Sequence, residues 1–457
     1  MEGRRGGGLT EMESLDASRK ATCLLLLLLI PIFFFLSHEL DYSYEGGPKE
    51  DSVNYAEKID YEERALEGNS LRRAALFSLG SLSLLGLIFT RRRNRIRWDE
   101  PLGWALLFFG AWSLASIVWS IDIGMTARKL SALGIFCLAA MAMTSRFSVN
   151  FAPEFVFFLT AIYLVVGLAV EIVSRTFEPF SGDYRFSGTI HPNVQGINCT
   201  MMLLAAVSLA GDPDRRRGLY LAAAAGAFVF LMLTKSRTAF ACALLVLAVH
   251  WIMNSSNKLR VSAYLLGILC VFSGLYLFLG DILITNVKEG ALMGRESEET
   301  LTLTGRTFIW ETSLNFIDVR PLQGHGFNSF WIPRHIRTFT EAAGWNISDV
   351  HSVYIDLVLG IGLVGLLSYL LTLFLGMKSA FSAYLRTGET GYGFLLMILI
   401  FFSVHGLMES ALIQISSLES FVFIWALFSL AFLDPDGDRE MASRERTLRL
   451  PGTGVDS

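Results

Sequence analysis

The sequence predicts an all-α, polytopic membrane protein of about twelve transmembrane helices, with a mostly helical outer loop over the membrane cavity. Three observations carry that expectation. Apolar residues make up 53% of the 457-residue chain and mean hydropathy is +0.47, more than a soluble core requires. The excess is gathered in runs close to the ~20 residues that span a bilayer. Short basic loops fall on alternate connections, RRRNRIR at 91–97, DRRRG at 214–218 and NKLR at 257–260, which is the asymmetry that positive-inside sorting produces.

Taken in order, the expected spans are about 21–38, 73–90, 101–120, 130–144, 153–174, 194–211, 218–234, 238–253, 261–281, 351–376, 392–409 and 418–433, within a membrane domain of 21–433. The first run has a signal-peptide look, but Ser37-His38-Glu39-Leu40 offers no small-residue cleavage site, so it reads as an uncleaved helix. The tails 1–20 and 434–457 then lie in the cytoplasm. Segment 39–70 is acidic and polar, a solvated outer loop more than a folded domain. The largest outer loop, 282–350, is expected to be periplasmic. It holds FIWETSLNFI at 308–317, where Trp310, Leu314 and Ile317 stand at helical spacing and suggest a short amphipathic helix on the membrane face. Pro321, Gly324 and Gly326 punctuate the next stretch and turn the chain back toward His351.

The five cysteines, Cys23, Cys137, Cys199, Cys242 and Cys270, lie in or beside apolar runs with no Cys-x-x-Cys spacing. They are expected to be packing residues, with no disulfide framework. The net charge of −4 says little, because charge in such a chain sorts by side of the membrane.

Four segments place reactive residues at outer helix ends: Tyr184 to Asn193 (YRFSGTIHPN), Lys235-Ser236-Arg237-Thr238, Gly305-Arg306-Thr307 and His351-Ser352. Arg237 is wedged between two apolar runs with almost no loop. An arginine there costs about 2.5–3.5 kcal/mol by insertion scales, so it calls for a partner or a role. A planar guanidinium binds two oxygens at once, and two or three of them, Arg185, Arg237 and Arg306, match a diphosphate. Gly305-Arg306 is expected to precede a helix whose free N–H groups add to the same anion site. His351 is placed to act as a general base or to orient a hydroxyl. Gly360, Gly362 and Gly365, just downstream, admit close backbone approach. These are parts of a transferase with a diphosphate leaving group. Other readings stand beside it: Arg185 and Arg306 suit interfacial anchors, and His191-Pro192-Asn193 suits a helix cap.

No metal or other cofactor is expected. Closely spaced acids occur only at Asp212-Pro-Asp214 and Asp434-Pro-Asp436-Gly-Asp438, both on the expected cytoplasmic face, so fixed arginine charge would stabilise the leaving group.

At these residues the chain resembles the bacterial O-antigen ligase and O-antigen or exopolysaccharide polymerase superfamily, over about residues 75–435. His351-Ser352-x9-Gly362-x-x-Gly365 fits the pattern His-[Asn/Ser/Gln]-x9-Gly-x-x-Gly without gaps. Arg185-Phe-Ser-Gly188 with His191-Pro-Asn193, Ser236-Arg237, Gly305-Arg306 with Trp310, and Pro321-x-x-Gly324-x-Gly326 support it. The resemblance implies a metal-independent, inverting glycosyltransferase in the bacterial inner membrane with its active site facing the periplasm. Arg237 with Arg185 or Arg306 would hold the diphosphate of an undecaprenyl-diphosphate-linked glycan, and His351 would assist the acceptor hydroxyl. The acceptor would be lipid A-core in a ligase or a growing polysaccharide in a polymerase. Membrane lipid is the other partner implied, and nucleic acid is not. A lipid-linked glycan flippase or secondary transporter is the rival of another class. It predicts ionisable groups along a path through the bilayer, whereas here they gather at one face.

Overall fold

The computed structural model describes residues 30, 70–88, 100–181, 184–255, 301–343, 347, 349–410, 412 and 417–435. Among these the chain is helical: α1 (Ser70–Ile88), α2 (Pro101–Ala115) with a 3-10 turn at Ser116–Trp119, α3 (Ile123–Arg146), α4 (Phe151–Ser174), α5 (Pro192–Ala210), α6 (Arg217–Leu233), α7 (Arg237–Asn254), α8 (Leu301–Val319), α9 (Pro333–Ala343), α10 (Val353–Thr387), α11 (Thr390–His405) and α12 (Leu418–Phe432). Six helices are long and apolar enough to cross a membrane, and four more are shorter apolar helices. The chain is a multi-pass membrane protein. Ten of the expected spans fall on these helices; those at 21–38 and 261–281, and the loop at 39–70, lie outside the described residues apart from single positions.

Two boundaries moved for identifiable reasons. The span expected at 130–144 begins at Ile123, because the Asp122 side chain accepts from the Met125 N–H and caps a helix whose first turns are polar. The span expected at 351–376 runs on to Thr387 and ends on left-handed Gly388, past the point where hydropathy fades.

Cross-chain contacts sort the helix ends onto two sides. On one side the Arg146 guanidinium donates to the Gly86 carbonyl at 2.6 Å, Arg215 pairs with Glu154 and Asn150 Nδ2 donates to Glu389 at 2.5 Å. On the other side the Ile121 N–H donates to the His325 carbonyl, the Phe186 N–H to Leu233 and the Val353 N–H to Gly406, at 2.8–2.9 Å. Alternate crossings therefore place the segments around 119–122, 184–193, 234–237, 320–352 and 406–410 together. Helix α11 stands in the middle, packed against α4, α5 and α7 on one flank and against α10 and α12 on the other.

Helix α10 is interrupted. Gly362 has φ 71° and ψ −175°, so about nine residues, roughly 14 Å of helix, precede a break and a longer helix follows. A break within an apolar helix frees carbonyl and N–H groups that lipid cannot satisfy. The 320–326 segment meets them. His325 N–H donates to the Leu359 carbonyl at 2.9 Å and Gly326 N–H to Gly360 at 2.8 Å, while Leu363 N–H donates to Pro321 at 2.8 Å. The Trp112 indole N–H takes the Ile361 carbonyl at 2.9 Å, and Trp119 donates to Gln323 at 2.8 Å. The approach needs glycine on both strands of the contact. A Cβ on Gly324 would lie 2.5 Å from the Gly360 oxygen, and one on Gly362 would lie 2.2 Å from the Leu322 carbonyl carbon.

Above the break, Ile309, Phe330, Trp331, Ile336, Phe339, Ile347, Val350 and Leu359 form a separate small core. Trp310 joins it and donates from its indole to the Val350 carbonyl at 2.9 Å. Leu314, expected on the same stripe, is 57% exposed; the packed face is Ile309, Ser313, Phe316 and Ile317. The helix expected at 308–317 starts upstream at Leu301. Gly305-Arg306 therefore lies inside α8 and does not precede it. An interior glycine costs only about 1 kcal/mol, too little to stop a helix, and the N-terminal N–H groups expected beside Arg306 are upstream of it.

Gly362→Ala and Gly324→Ala are each expected to destabilise the detergent-solubilised protein by about 3 kcal/mol or more, since both a positive φ and a backbone clash oppose the methyl group. Gly226→Ala, whose Cβ meets nothing within 4 Å, should leave the thermal midpoint unchanged or slightly raised. A wild-type melting curve for Gly362→Ala would refute this account of the break.

Candidate active site

The arginine side of the site is built on a buried carboxylate. Glu171 sits one turn from the end of α4, 4% exposed, and accepts from the Gly188 N–H at 2.7 Å, the Ser187 N–H at 2.9 Å and the Tyr184 hydroxyl. Burial and that bond push the Tyr184 phenol above its ordinary range. The segment is thereby folded against the outer end of α4, where Gly167 and left-handed Gly188 touch backbone to backbone. Arg185 is held out of this turn: its Nε donates to the Thr234 carbonyl at 3.0 Å and its Nη2 to Asn193 Oδ1 at 2.8 Å.

Thr234 belongs to the connection between α6 and α7. Lys235 takes φ 51° there, and Ser236 stands at the N-cap with Arg237 as the first helical residue. Ser236 packs on Gly196 of α5, where a Cβ would lie 2.7 Å from that of Ser236. His191 is the N-cap of α5: its Nδ1 accepts from the Asn193 N–H at 3.2 Å, with Pro192 at the first helical position. Arg185, His191, Asn193 and Ser236 therefore form one interlocked corner, with Arg237 at its edge.

The histidine side lies on the other flank of α11. His351 adopts φ 52° just before Ser352, the N-cap of α10. Its ring is 41% exposed, with Nδ1 3.1 Å from Asp349 Oδ1 and 3.8 Å from Glu409 Oε2. The His351 N–H also donates to Asp349, at 2.8 Å, so one carboxylate holds both backbone and ring. Left-handed backbone in a non-glycine residue is uncommon and gathers at functional sites.

Buried Asp356 ties three segments together beneath the ring. The Trp331 indole N–H donates to its Oδ1 at 2.9 Å and the Ser410 hydroxyl to its Oδ2 at 2.5 Å. Trp331 comes from the segment between α8 and α9 and Ser410 follows Glu409, so this one carboxylate ties both segments to the first half of α10. His325, 5% exposed, packs behind the loop on Phe330. Burial, with Arg320 and His335 nearby, pushes its pKa down to about 4; it is neutral at neutral pH.

The sequence-predicted residues thus fall into three groups: the Arg185–Asn193–Ser236 corner with Arg237, His351 with Ser352, and the backbone junction of Gly362 with its successor Gly365. Arg306 stands in α8. Sequence reasoning missed Asp349, Glu409, Asp356, Trp331 and Ser410. Asp349 had a local signal, standing two residues from His351; Glu409 and Ser410 meet it only through the fold. Among the described residues no group of three His, Cys, Asp or Glu side chains is placed to hold a metal ion.

These features lie in and around a segment with known relatives. The O-Antigen ligase family model matches residues 222–370, a stretch that contains Arg237, Arg306, His351, Gly362 and Gly365. A similar protein is the exopolysaccharide production protein ExoQ of Rhizobium meliloti (strain 1021), 24% identical over 316 residues that cover 59% of this chain and 69% of that protein. With its apolar helical bundle and broken helix, this multi-pass membrane protein is similar to the O-antigen ligase family over residues 222–370 and to the exopolysaccharide production protein over 59% of its length.

Proposed function

We propose that this protein is a metal-independent, inverting membrane glycosyltransferase of O-antigen ligase type. It moves a glycan from an undecaprenyl-diphosphate donor to an acceptor hydroxyl at the periplasmic face of the inner membrane. The observation that carries the reading is His351, held in a left-handed backbone conformation with its ring Nδ1 facing Asp349 and Glu409. The basic loop at 214–218, between α5 and α6, lies at the opposite end of the helices from His351, which supports a periplasmic site.

In this mechanism the acceptor oxygen attacks the anomeric carbon of the donor sugar, and the bond from that carbon to the diphosphate oxygen breaks. The bonding pair leaves with the diphosphate. The hydroxyl proton passes to His351 Nε2, and Asp349 and Glu409 stabilise the imidazolium that forms. Arg237, with Arg185 or Arg306, takes the charge that develops on the leaving group, because a planar guanidinium binds two oxygens at once. Arg185 has part of its fork engaged by Thr234 and Asn193, which orients the remainder. His191, Asn193, Ser236, Ser352, Gly362 and Gly365 support these groups. A second reading, a repeat-unit polymerase, is favoured by the similarity to an exopolysaccharide production protein; it uses the same donor chemistry and a different acceptor.

The test uses purified protein in liposomes with a polyprenyl-diphosphate-linked oligosaccharide, offering lipid A-core or a second repeat unit. Transfer to lipid A-core identifies a ligase, and chain growth a polymerase; donor binding or translocation without transfer to either would favour the flippase. His351→Ala and Arg237→Lys should each lower turnover at least 100-fold with the protein still inserted, because Lys keeps the charge and loses the fork. Asp349→Asn keeps the shape and removes the charge behind the imidazolium, and a fall of about ten- to 100-fold in kcat with donor KM unchanged is expected. EDTA should leave the rate unaltered; loss on chelation restored by Mg²⁺ would overturn the metal-free mechanism.

A further inference from the structure

His325 stands at the centre of the backbone junction and takes no part in the chemistry proposed above. Its N–H donates to the Leu359 carbonyl at 2.9 Å, and its own carbonyl accepts from the Ile121 N–H at 2.9 Å and from the Ser329 hydroxyl at 3.1 Å. One residue thus ties the first half of α10 to the turn between α2 and α3. The side chain is buried, set edge-on to Phe330 with ring centroids 5.3 Å apart and 6.2 Å from the ring of His335. Among the described residues its buried Nδ1 has no hydrogen-bond partner. A neutral ring can leave that nitrogen bare at modest cost. An imidazolium carries a proton on both nitrogens, and a buried charged donor with no acceptor costs far more.

The charges around the ring do not offset that cost. Burial, with basic Arg320 from the end of α8 and His335 of α9, pushes the His325 pKa down to about 4. Arg334 and Arg337 of α9 are exposed, as is Asp318 near the end of α8. Asp122 caps α3 through the Met125 N–H, and Asp356 of α10 accepts from Trp331 and Ser410.

We propose that His325 is an acid-sensitive catch for the site: its neutral ring holds the 320–326 segment on the broken helix, and on protonation it leaves its pocket and releases the half-helix that carries Ser352 and Asp356, stopping transfer. This regulation rests on the transferase reading above. The sign follows from linkage. In the opened state the ring meets water and regains the ordinary value of about 6.5. The closed junction is therefore fully favoured above that pH and loses ground as pH falls toward about 4. Between about pH 7.5 and about pH 5 the opening equilibrium should rise about 30-fold.

Backbone hydrogen exchange of the full-length protein in liposomes, read by mass spectrometry and corrected for the pH dependence of intrinsic exchange, tests the catch without requiring turnover. Peptides covering 320–326 and 353–361 should exchange about 30-fold faster at the lower pH in wild type, and at a pH-independent rate in His325→Gln and His325→Phe. His335→Gln keeps the catch and should retain most of the rise. An equal rise in either folded His325 variant, or none in wild type, would overturn the proposal. Should neither variant fold, deuterium exchange at the imidazole C2 carbon of wild-type His325 decides: a midpoint well below the ordinary histidine value supports the catch, and an ordinary midpoint overturns it. Transfer from a polyprenyl-diphosphate-linked oligosaccharide should fall at the lower pH at least threefold further in wild type than in His325→Gln; equal falls would overturn control of the site. No transfer at any pH, with the exchange result intact, would sink the transferase reading alone.

Discussion

Inside a bilayer a carbonyl that loses its helical partner has no water to turn to, and α10 loses several at Gly362. The 320–326 segment supplies the missing donors and takes up the freed N–H groups in return, with two tryptophans of the preceding hairpin completing the pairing. Everything at the end of the bundle that carries His351 is hung on that junction. It fixes the height of the first half of α10, which carries Ser352 and Asp356, and it anchors the loop whose small core holds α8 and α9. The glycines on both sides matter for the absence of a Cβ, which lets two backbones come within hydrogen-bond distance.

Two buried acids then organise the polar residues, and each is satisfied in a way that suits its task. Glu171 gathers two backbone N–H groups and a phenol, bonds that hold a turn. Asp356 accepts from side chains of two remote segments and so sets their mutual register. A buried carboxylate left without such donors is strongly destabilising. Hydrogen bonding of this kind is what permits acids so near apolar helices, and both acids act at a distance from the groups proposed to touch substrate.

The division of the bundle by α11 gives the face that carries His351 its plan. Arg185 and Arg237 belong to the flank of α4, α5 and α7, whereas His351 and Glu409 belong to that of α10 and α12 or to the loop after α11. On the proposed reading, leaving-group charge is handled on one side and the acceptor on the other, with the base at the boundary. This separates the positive field that a diphosphate needs from the acidic side chains beside His351.

The range of each interaction decides how much of this was legible in the sequence. Hydropathy runs are local sums, so helix existence and the common side of 184–193, 234–237 and 351–352 could be read from residues alone, as could the Gly362 pattern as a place of close approach. Helix ends decided by a cap, at Asp122 and Gly388, were placed poorly, and Arg306 was set before a helix that encloses it. Asp356, Glu409 and Ser410 carried no readable signal, because each gains its meaning from a partner distant along the chain. The sequence by itself determined which residues must lie in lipid and which ends share a face, since transfer free energy depends on composition along the run. Only the tertiary structure decided what satisfies the broken helix and which carboxylates flank His351, because those depend on contacts that chain order does not encode.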